Sequence, residues 1–322
     1  MNIMMDCAER VLVKYPLFTA AVKRIQECFD SYGTTAEPAC CPVVGESGSG
    51  KTTIITYFAS LYPRVDHKHG VEQPVLLAKI PARPTVKSLA ETLLYKLGDP
   101  LWARGNTVSK SIRLRELLKR CRVRLLALDE FQHFVDVRQA NIPNDVADWL
   151  KEQVEEVKLA IVVVGLQRCL EVLKQNEQLR RRFGANVRIG SFRWNVKEER
   201  TIYRAFLRSV QEQLSEFSMP ALSDVEMAFR MHYGSRGLIG YTMKIIRGAA
   251  RVASSQPRRE ITMSTLAQSY AVNVWAERLD DPNPFLEDFD PEKASPEGTS
   301  TNVRVIPSQS ASRRAASIEL HA

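Results

Sequence analysis

Residues 40–58 read CCPVVGESGSGKTTIITYF (Cys40–Phe58), and the reading of this stretch decides the fold. The apolar run to Val44 predicts a buried strand, Gly45-Glu46-Ser47-Gly48-Ser49-Gly50 a glycine-rich turn, and Lys51-Thr52-Thr53 the head of a helix. Strand, loop and helix in that order bind phosphate: the glycines let backbone N–H groups converge on phosphate oxygens, and the helix N-terminus adds its positive end. Lys51 would reach the β- and γ-phosphates and Thr52 would ligate Mg²⁺, so ATP and Mg²⁺ are the expected cofactors of a site lined by Gly45 through Thr53. The alternative, a plain glycine turn, leaves the placement of the whole GESGSGKT pattern between strand and helix to chance.

Further apolar runs predict strands at 39–44, 75–80, 123–128, 159–164 and 187–192, with helical patterns between them. Such alternation implies a parallel sheet with helices on both faces. The run RLLALDEF (Arg124–Phe131) ends in two carboxylates. Asp129 would sit near the Mg²⁺, and Glu130 would polarise an attacking water, an acid pair that points to hydrolysis. The strand LAIVVVG (Leu159–Gly165) is followed by Leu166-Gln167-Arg168. In P-loop ATPases of this order a polar group at that strand's end positions the lytic water, and Gln167 is the nearest candidate. NEQLRRRF (Asn176–Phe183) offers Arg182, and after it Arg181, as an arginine that would project into a neighbouring subunit's nucleotide site. Basic residues at a helix C-terminus are the competing explanation.

After Trp194 the strand signals stop, and helical patterns at 197–217, 223–232, 238–255 and 263–279 suit an all-helical unit. The expected organisation is a helical lead-in at 1–37, an α/β domain at 38–195, a helical lid at 196–279 and a disordered tail at 280–322, in which NPFLEDF (Asn283–Phe289) is a docking segment.

The 322 residues are 44% hydrophobic and 25% charged, ordinary for a globular chain with a sizeable core. No apolar run approaches the roughly 20 residues of a membrane span, and the N-terminus lacks a secretory pattern, so a cytoplasmic protein without a membrane partner is expected. The 6 cysteines lack C-x-x-C spacing and predict buried thiols. The HKH run at His67–His69 has no partner at metal-ligand spacing and reads as a solvated loop. The net charge of +8 favours a polyanionic partner. It concentrates in Arg104, Lys110, Arg113, Arg115, Lys119, Arg120, Arg122 and Arg124, and again in Arg180, Arg181, Arg182, Arg188 and Arg193. Both runs read either as solvated faces or as nucleic-acid contacts.

The order GESGSGKT, LALDEF, VVVG, LRRRF and helical lid resembles the AAA+ ATPases, and more narrowly the TniB/TnsC family of transposition regulators. KYP (Lys14–Pro16), the basic helix before LDEFQHF, the lid stretch GLIGYTMKIIRGAA (Gly237–Ala250) and NPF beyond it extend the resemblance over roughly residues 10–290. It implies an AAA+ P-loop NTPase with a five-stranded parallel sheet and a small all-helical lid. It implies a homo-oligomer, ring or filament, that hydrolyses ATP, encircles or coats double-stranded DNA and links a target selector to a transposase. Lys51, Thr52, Asp129 and Glu130 match family positions, and Arg182 matches the trans-acting arginine. The lid stretch departs from the pattern in lacking the arginine many AAA+ lids carry, for which Lys244 or Arg247 would substitute. Family DNA contacts lie before the acid-pair strand, which carries over to Lys96, Arg104, Lys110 and Arg113 as phosphate contacts. A helicase loader and a nucleotide-dependent protein switch that never touches DNA are the competing readings.

Overall fold

The computed structural model describes residues 5–34, 37–82, 84–136, 142–256, 258–274 and 282–294. Helices α1 (Met5–Arg10) and α2 (Pro16–Asp30) lead to strand β1 (Cys41–Gly45) and helix α3 (Lys51–Ser60). A hairpin, β2 (Val65–His67) and β3 (Gly70–Glu72), precedes β4 (Val75–Lys79), α4 (Val86–Leu97), α5 (Thr107–Arg120) and β5 (Leu125–Asp129). There follow α6 (His133–Asp136), α7 (Ile142–Val157), β6 (Ala160–Gly165), a 3-10 turn (Gln167–Cys169), α8 (Leu170–Lys174), α9 (Glu177–Arg182) and β7 (Val187–Ile189). Among the described residues the elements that follow are helices: α10 (Lys197–Gln213), α11 (Val225–Ser235), α12 (Ile239–Ser254) and α13 (Met263–Asn273).

The main sheet has 5 strands in the order β4-β5-β6-β1-β7, every pairing parallel. Its strands are apolar along their length because both faces are covered. Strand alternation sends Cys41, Val43, Leu125, Ala127, Val162 and Val164 into one core with α2, α3 and the lid helices. Val44, Leu126, Leu128, Ile161 and Val163 go into a second core with α4, α5 and α7. The register pairs Lys79 with Asp129, Leu128 with Val163 and Val44 with Gly165. All the carboxyl ends that matter therefore open on one edge, where β1 reverses the strand order, the place open α/β sheets bind ligands.

The helical stretch is tied to the sheet through Phe192, just beyond β7. Its N–H donates to Gly237 O (2.9 Å), and its carbonyl meets His232 Nε2 (2.6 Å). Tyr15 packs edge-on to Phe192 and Phe206 at 5.7 and 5.9 Å, joining the lead-in to both. Within the lid the buried Tyr203 hydroxyl lies between Ser235 Oγ (3.2 Å) and Thr242 Oγ1 (2.9 Å), and burial pushes its pKa up to about 12.

The HKH run sits at the exposed tip of a hairpin: His67 ends β2, 3.4 Å from Glu72, and Lys68 and His69 form the solvated turn to β3. The short, exposed strands around it lack an apolar run, and one expectation, about the tail, is corrected. The tail, expected to be disordered from 280, is folded at 282–294. Phe285 and Phe289 are buried, Asn283 Nδ2 donates to Ala267 O (2.9 Å), and Arg230 donates to Pro284 O (2.7 Å) while lying over the Phe289 ring. NPFLEDF thus docks on the chain's own lid. Residues 275–281, where the expected lid ends and the tail begins, and residues 295–322 lie outside the described residues. Among the described residues no helix is long and apolar enough to cross a membrane.

Candidate functional site

At the carboxyl end of β1 a side chain on Gly45 would collide with Ile189 O of β7, so this position admits only glycine. Gly48 and Gly50 hold φ of 78° and 94°, the left-handed region that favours glycine. Gly50 is the N-cap of α3 and offers no side-chain hydrogen bond to it. The first-turn N–H groups of α3 have no intrahelical partner by geometry, which leaves an uncapped cradle at the positive end of the helix. Ser49 is buried within the loop, while Glu46, Ser47 and Thr53 are exposed on its rim.

Lys51 folds back over this cradle and donates from Nζ to Glu46 O (2.6 Å), with Ser49 Oγ at 3.4 Å. Burial lowers its pKa, and the nearby Asp129 and Glu130 carboxylates oppose that shift. Thr52 Oγ1 donates to Asp129 Oδ2 (2.8 Å), joining the helix head to the end of β5. Asp129 Oδ1 accepts from the Glu130 N–H (2.9 Å). Glu130 has φ 57°, a left-handed geometry that costs a non-glycine residue on the order of 1 kcal/mol. The chain resumes sheet pairing at once, the Phe131 N–H donating to Val164 O (3.0 Å). The bend therefore turns the Glu130 carboxylate out of the sheet edge without breaking the strand order.

A hydroxyl and a carboxylate in contact, an ammonium above an uncapped helix end and a second carboxylate beside them are the donor set of a nucleotide triphosphate and Mg²⁺. The cradle fits that group. Residues 4–194 match the family model described as bacterial TniB protein. The chain belongs to the TniB family.

Solved structures place the fold of this TniB-family chain. It is similar to Aeropyrum pernix ORC2 in ADPNP and ADP complexes, at 16% identity and TM-score 0.58, over 82% of this chain and 68% of that one. It is similar to A. pernix ORC1 in complex with DNA, at 15% identity and TM-score 0.58, over 84% and 69%. Cdc6p from Pyrobaculum aerophilum matches at 14% identity and TM-score 0.60, over 82% and 69%. The parallel sheet and helical C-terminal stretch are the AAA+ P-loop fold. No curated protein sequence matches the chain.

In this TniB-family chain the helical C-terminal stretch meets the phosphate loop directly. Gly240 N–H donates to Gly48 O (2.7 Å), and Tyr241 covers Gly48 so closely that a Cβ there would lie 2.9 Å from the ring. Of the two expected lid cations, Lys244 stays beside this contact, its Nζ 5.1 Å from the Tyr241 ring centroid. Arg247 does not reach the loop: it donates to Ala8 O (3.0 Å) and Glu9 O (3.2 Å) and so binds the lead-in to α12.

Two expected side chains at the site, Gln167 and Arg182, are placed otherwise, and two unforeseen ones come close to Glu130. Gln167 is exposed in the 3-10 turn, and the amide that meets Glu130 is that of Gln132, 4% exposed. Its signal in the sequence is the amide two residues beyond the acid pair. Lys79, brought level with Asp129 by the β4-β5 register, is a second unforeseen neighbour, 3.8 Å from Glu130 Oε1. Arg182 is held inside its own chain, its side chain 10% exposed and 3.2 and 3.4 Å from Glu155 and Glu37. Its backbone carbonyl also accepts from Cys40 N (3.1 Å). Arg181 is the outward member of the pair, 73% exposed and paired with Glu177 at 2.7 Å.

The basic segment divides in the same way. Lys110 is fully buried, 2.8 Å from Glu91, and donates to Trp102 O (3.1 Å) and Ala103 O (2.6 Å). It braces the loop between α4 and α5 and is not available to a phosphate. Arg113 serves the same loop through Asp99 (2.6 Å) and Leu101 O (2.7 Å). Arg104 and Lys96 remain exposed. Lys110→Met is expected to destabilise the protein by about 2–3 kcal/mol, since it strands Glu91 and two carbonyls. Chemical denaturation checks this; an unchanged midpoint would remove Lys110 from the fold's supports.

Proposed function

We propose that this chain is an ATP-dependent, DNA-binding regulator of transposition. ATP binding between subunits assembles it on duplex DNA, and hydrolysis disassembles it, linking a target selector to a transposase. The observation that carries the reading is the Thr52–Asp129 hydrogen bond with Lys51 and Glu130 beside it, in a chain of the TniB family. The likeness to the ORC1 structure solved with DNA supports the choice of partner.

When bound, Mg²⁺ would neutralise the charge of the ATP phosphates. Lys51 would exchange Glu46 O for the phosphates, the N–H groups of the cradle would bind their oxygens, and Thr52 and Asp129 would hold the metal. The Glu130 carboxylate takes the proton of the attacking water. Gly240 and Tyr241 close the loop from the lid side and exclude solvent. Gly240→Ala would set a methyl 2.5 Å from Gly48 O. Such overpacking costs about 1–2 kcal/mol, so a roughly tenfold weaker affinity for a slowly hydrolysed ATP analogue is expected. Calorimetric titration checks it, and unchanged affinity would place the lid contact outside the binding event.

Arg104 and Lys96 are the phosphate contacts in this reading. The double charge reversal to Glu is expected to weaken duplex binding at least tenfold and to reduce the salt slope by about two. Fluorescence anisotropy on duplex and single-stranded DNA, with the analogue present, tests this. A preference for single strands would favour a helicase loader. Unchanged duplex binding would favour a protein-interaction switch, the reading that gains from the use of Lys110 and Arg113 inside the fold.

A further inference from the structure

The Glu130 carboxylate is held by a group that lies on neither the phosphate loop nor the end of β6. Gln132 is 4% exposed. Its Nε2 donates to Glu130 Oε2, and its Oε1 accepts the backbone N–H of Leu166 (3.1 Å), the first residue beyond β6. The two contacts fix the orientation of the amide: turned over, it would set its oxygen against the carboxylate and its NH₂ against an N–H. Gly165 makes the room, since a Cβ there would lie 2.5 Å from Gln132 Oε1 and 3.3 Å from the Gln132 and Phe131 nitrogens. Leu166 brings no polar side chain to this strand end, and Gln167 is exposed. The other carboxylate oxygen, Oε1, has the exposed Lys79 at 3.8 Å, beyond hydrogen-bond range.

We infer that Gln132 is the positioning residue of the hydrolytic site: it fixes the Glu130 rotamer, leaves Oε1 free to take the proton of water, and couples that rotamer to the end of β6. A neutral donor suits this task, because it occupies one oxygen without cancelling the charge that makes the other a base. The inference rests on the ATPase reading above. It also accounts for the left-handed turn at Glu130, which brings the carboxylate back over the chain to the amide two residues on.

The test uses the full chain with duplex DNA and measures turnover at saturating ATP, affinity for a slowly hydrolysed analogue, and thermal melting. Gln132→Met, which removes both bonds at similar volume, is expected to lower turnover at least 30-fold while changing the analogue's Kd less than threefold. Gly165→Ala, which keeps the amide and displaces it, is expected to lower turnover in the same way. Gln132→Glu provides a readout that a purely structural role would not move. The introduced carboxyl donates to Glu130 only when protonated, so turnover relative to the parent protein should rise as pH falls. Lys79, 3.8 Å from Glu130, and Lys51, which interacts with Asp129, Glu130 and Cys169, are present in parent and variant alike, as are His133 and the Asp136–Arg168 pair, so the pH profile is read as the difference between the two.

If Gln132→Met does not fold, the other two variants decide. Parent-like turnover in folded variants, equal losses of turnover and analogue affinity, or a pH-independent difference would each overturn the inference. Absence of turnover in the parent protein would overturn the ATPase reading, and this inference with it.

Discussion

Lys51→Ala is expected to abolish ATP binding and, with it, nucleotide-dependent loading on DNA. The Lys51 ammonium rests on Glu46 O and Ser49 Oγ. Glu46, on the exposed rim of the loop, can have its carbonyl hydrated in place of the ammonium, so the loss of Lys51 leaves the fold intact. With nucleotide bound it is the only cation of the phosphate motif itself, and charge-assisted hydrogen bonds to phosphate are worth about 1.5–3 kcal/mol each. Losing two of them corresponds to a fall in affinity on the order of 100-fold to 1000-fold or more. The check is equilibrium titration with a fluorescent ATP analogue, paired with DNA binding in its presence. Normal loading by this variant would overturn the phosphate-loop assignment.

Glu130→Gln is expected to separate binding from turnover. The substitution keeps the shape of the side chain, and an amide oxygen at that position still accepts from Gln132 Nε2. The charge lost opposite Lys79 matters little, because that lysine is 71% exposed and such pairs contribute at most about 1 kcal/mol. What disappears is the proton acceptor, whose removal costs roughly 100-fold to 10,000-fold in rate. ATP binding should survive, and the assembly should stay on DNA far longer after dilution into excess competitor. A variant that leaves DNA as fast as the parent protein would deny Glu130 its role in activating water.

The nucleotide cradle was legible in the sequence because its parts are local. Gly45 to Thr53 are contiguous, and their order on strand, loop and helix is written in hydrophobicity and glycine spacing. The acid pair was legible for the same reason, as the end of an apolar strand, and the parallel sheet followed from its five apolar runs. What failed was partner choice across distant segments. Lys110 and Arg182 look like free cations along the chain, yet the fold sets Glu91 on α4 against one and Glu37 and Glu155 against the other. Arg247 looked available to the nucleotide until α1 was packed on α12, where backbone carbonyls take it. Gln167 is the polar residue nearest to β6 in sequence, but Gln132 is the one that meets Glu130 in space. The left-handed turn at Glu130, which brings the nearer amide under the carboxylate, has no signature in composition or periodicity. The folded tail was missed because Phe285 and Phe289 are isolated apolar residues in a polar stretch, and only the lid surface shows where they insert.

In the proposed function, nucleotide gates an assembly on duplex DNA. Sedimentation and negative-stain imaging of the purified protein with duplex DNA, with and without a slowly hydrolysed ATP analogue, test this gating. Regular rings or filaments that form only when both ligands are present are the predicted result. Assembly that ignores DNA, or no assembly under any condition, would contradict the account and point to a nucleotide-dependent protein switch.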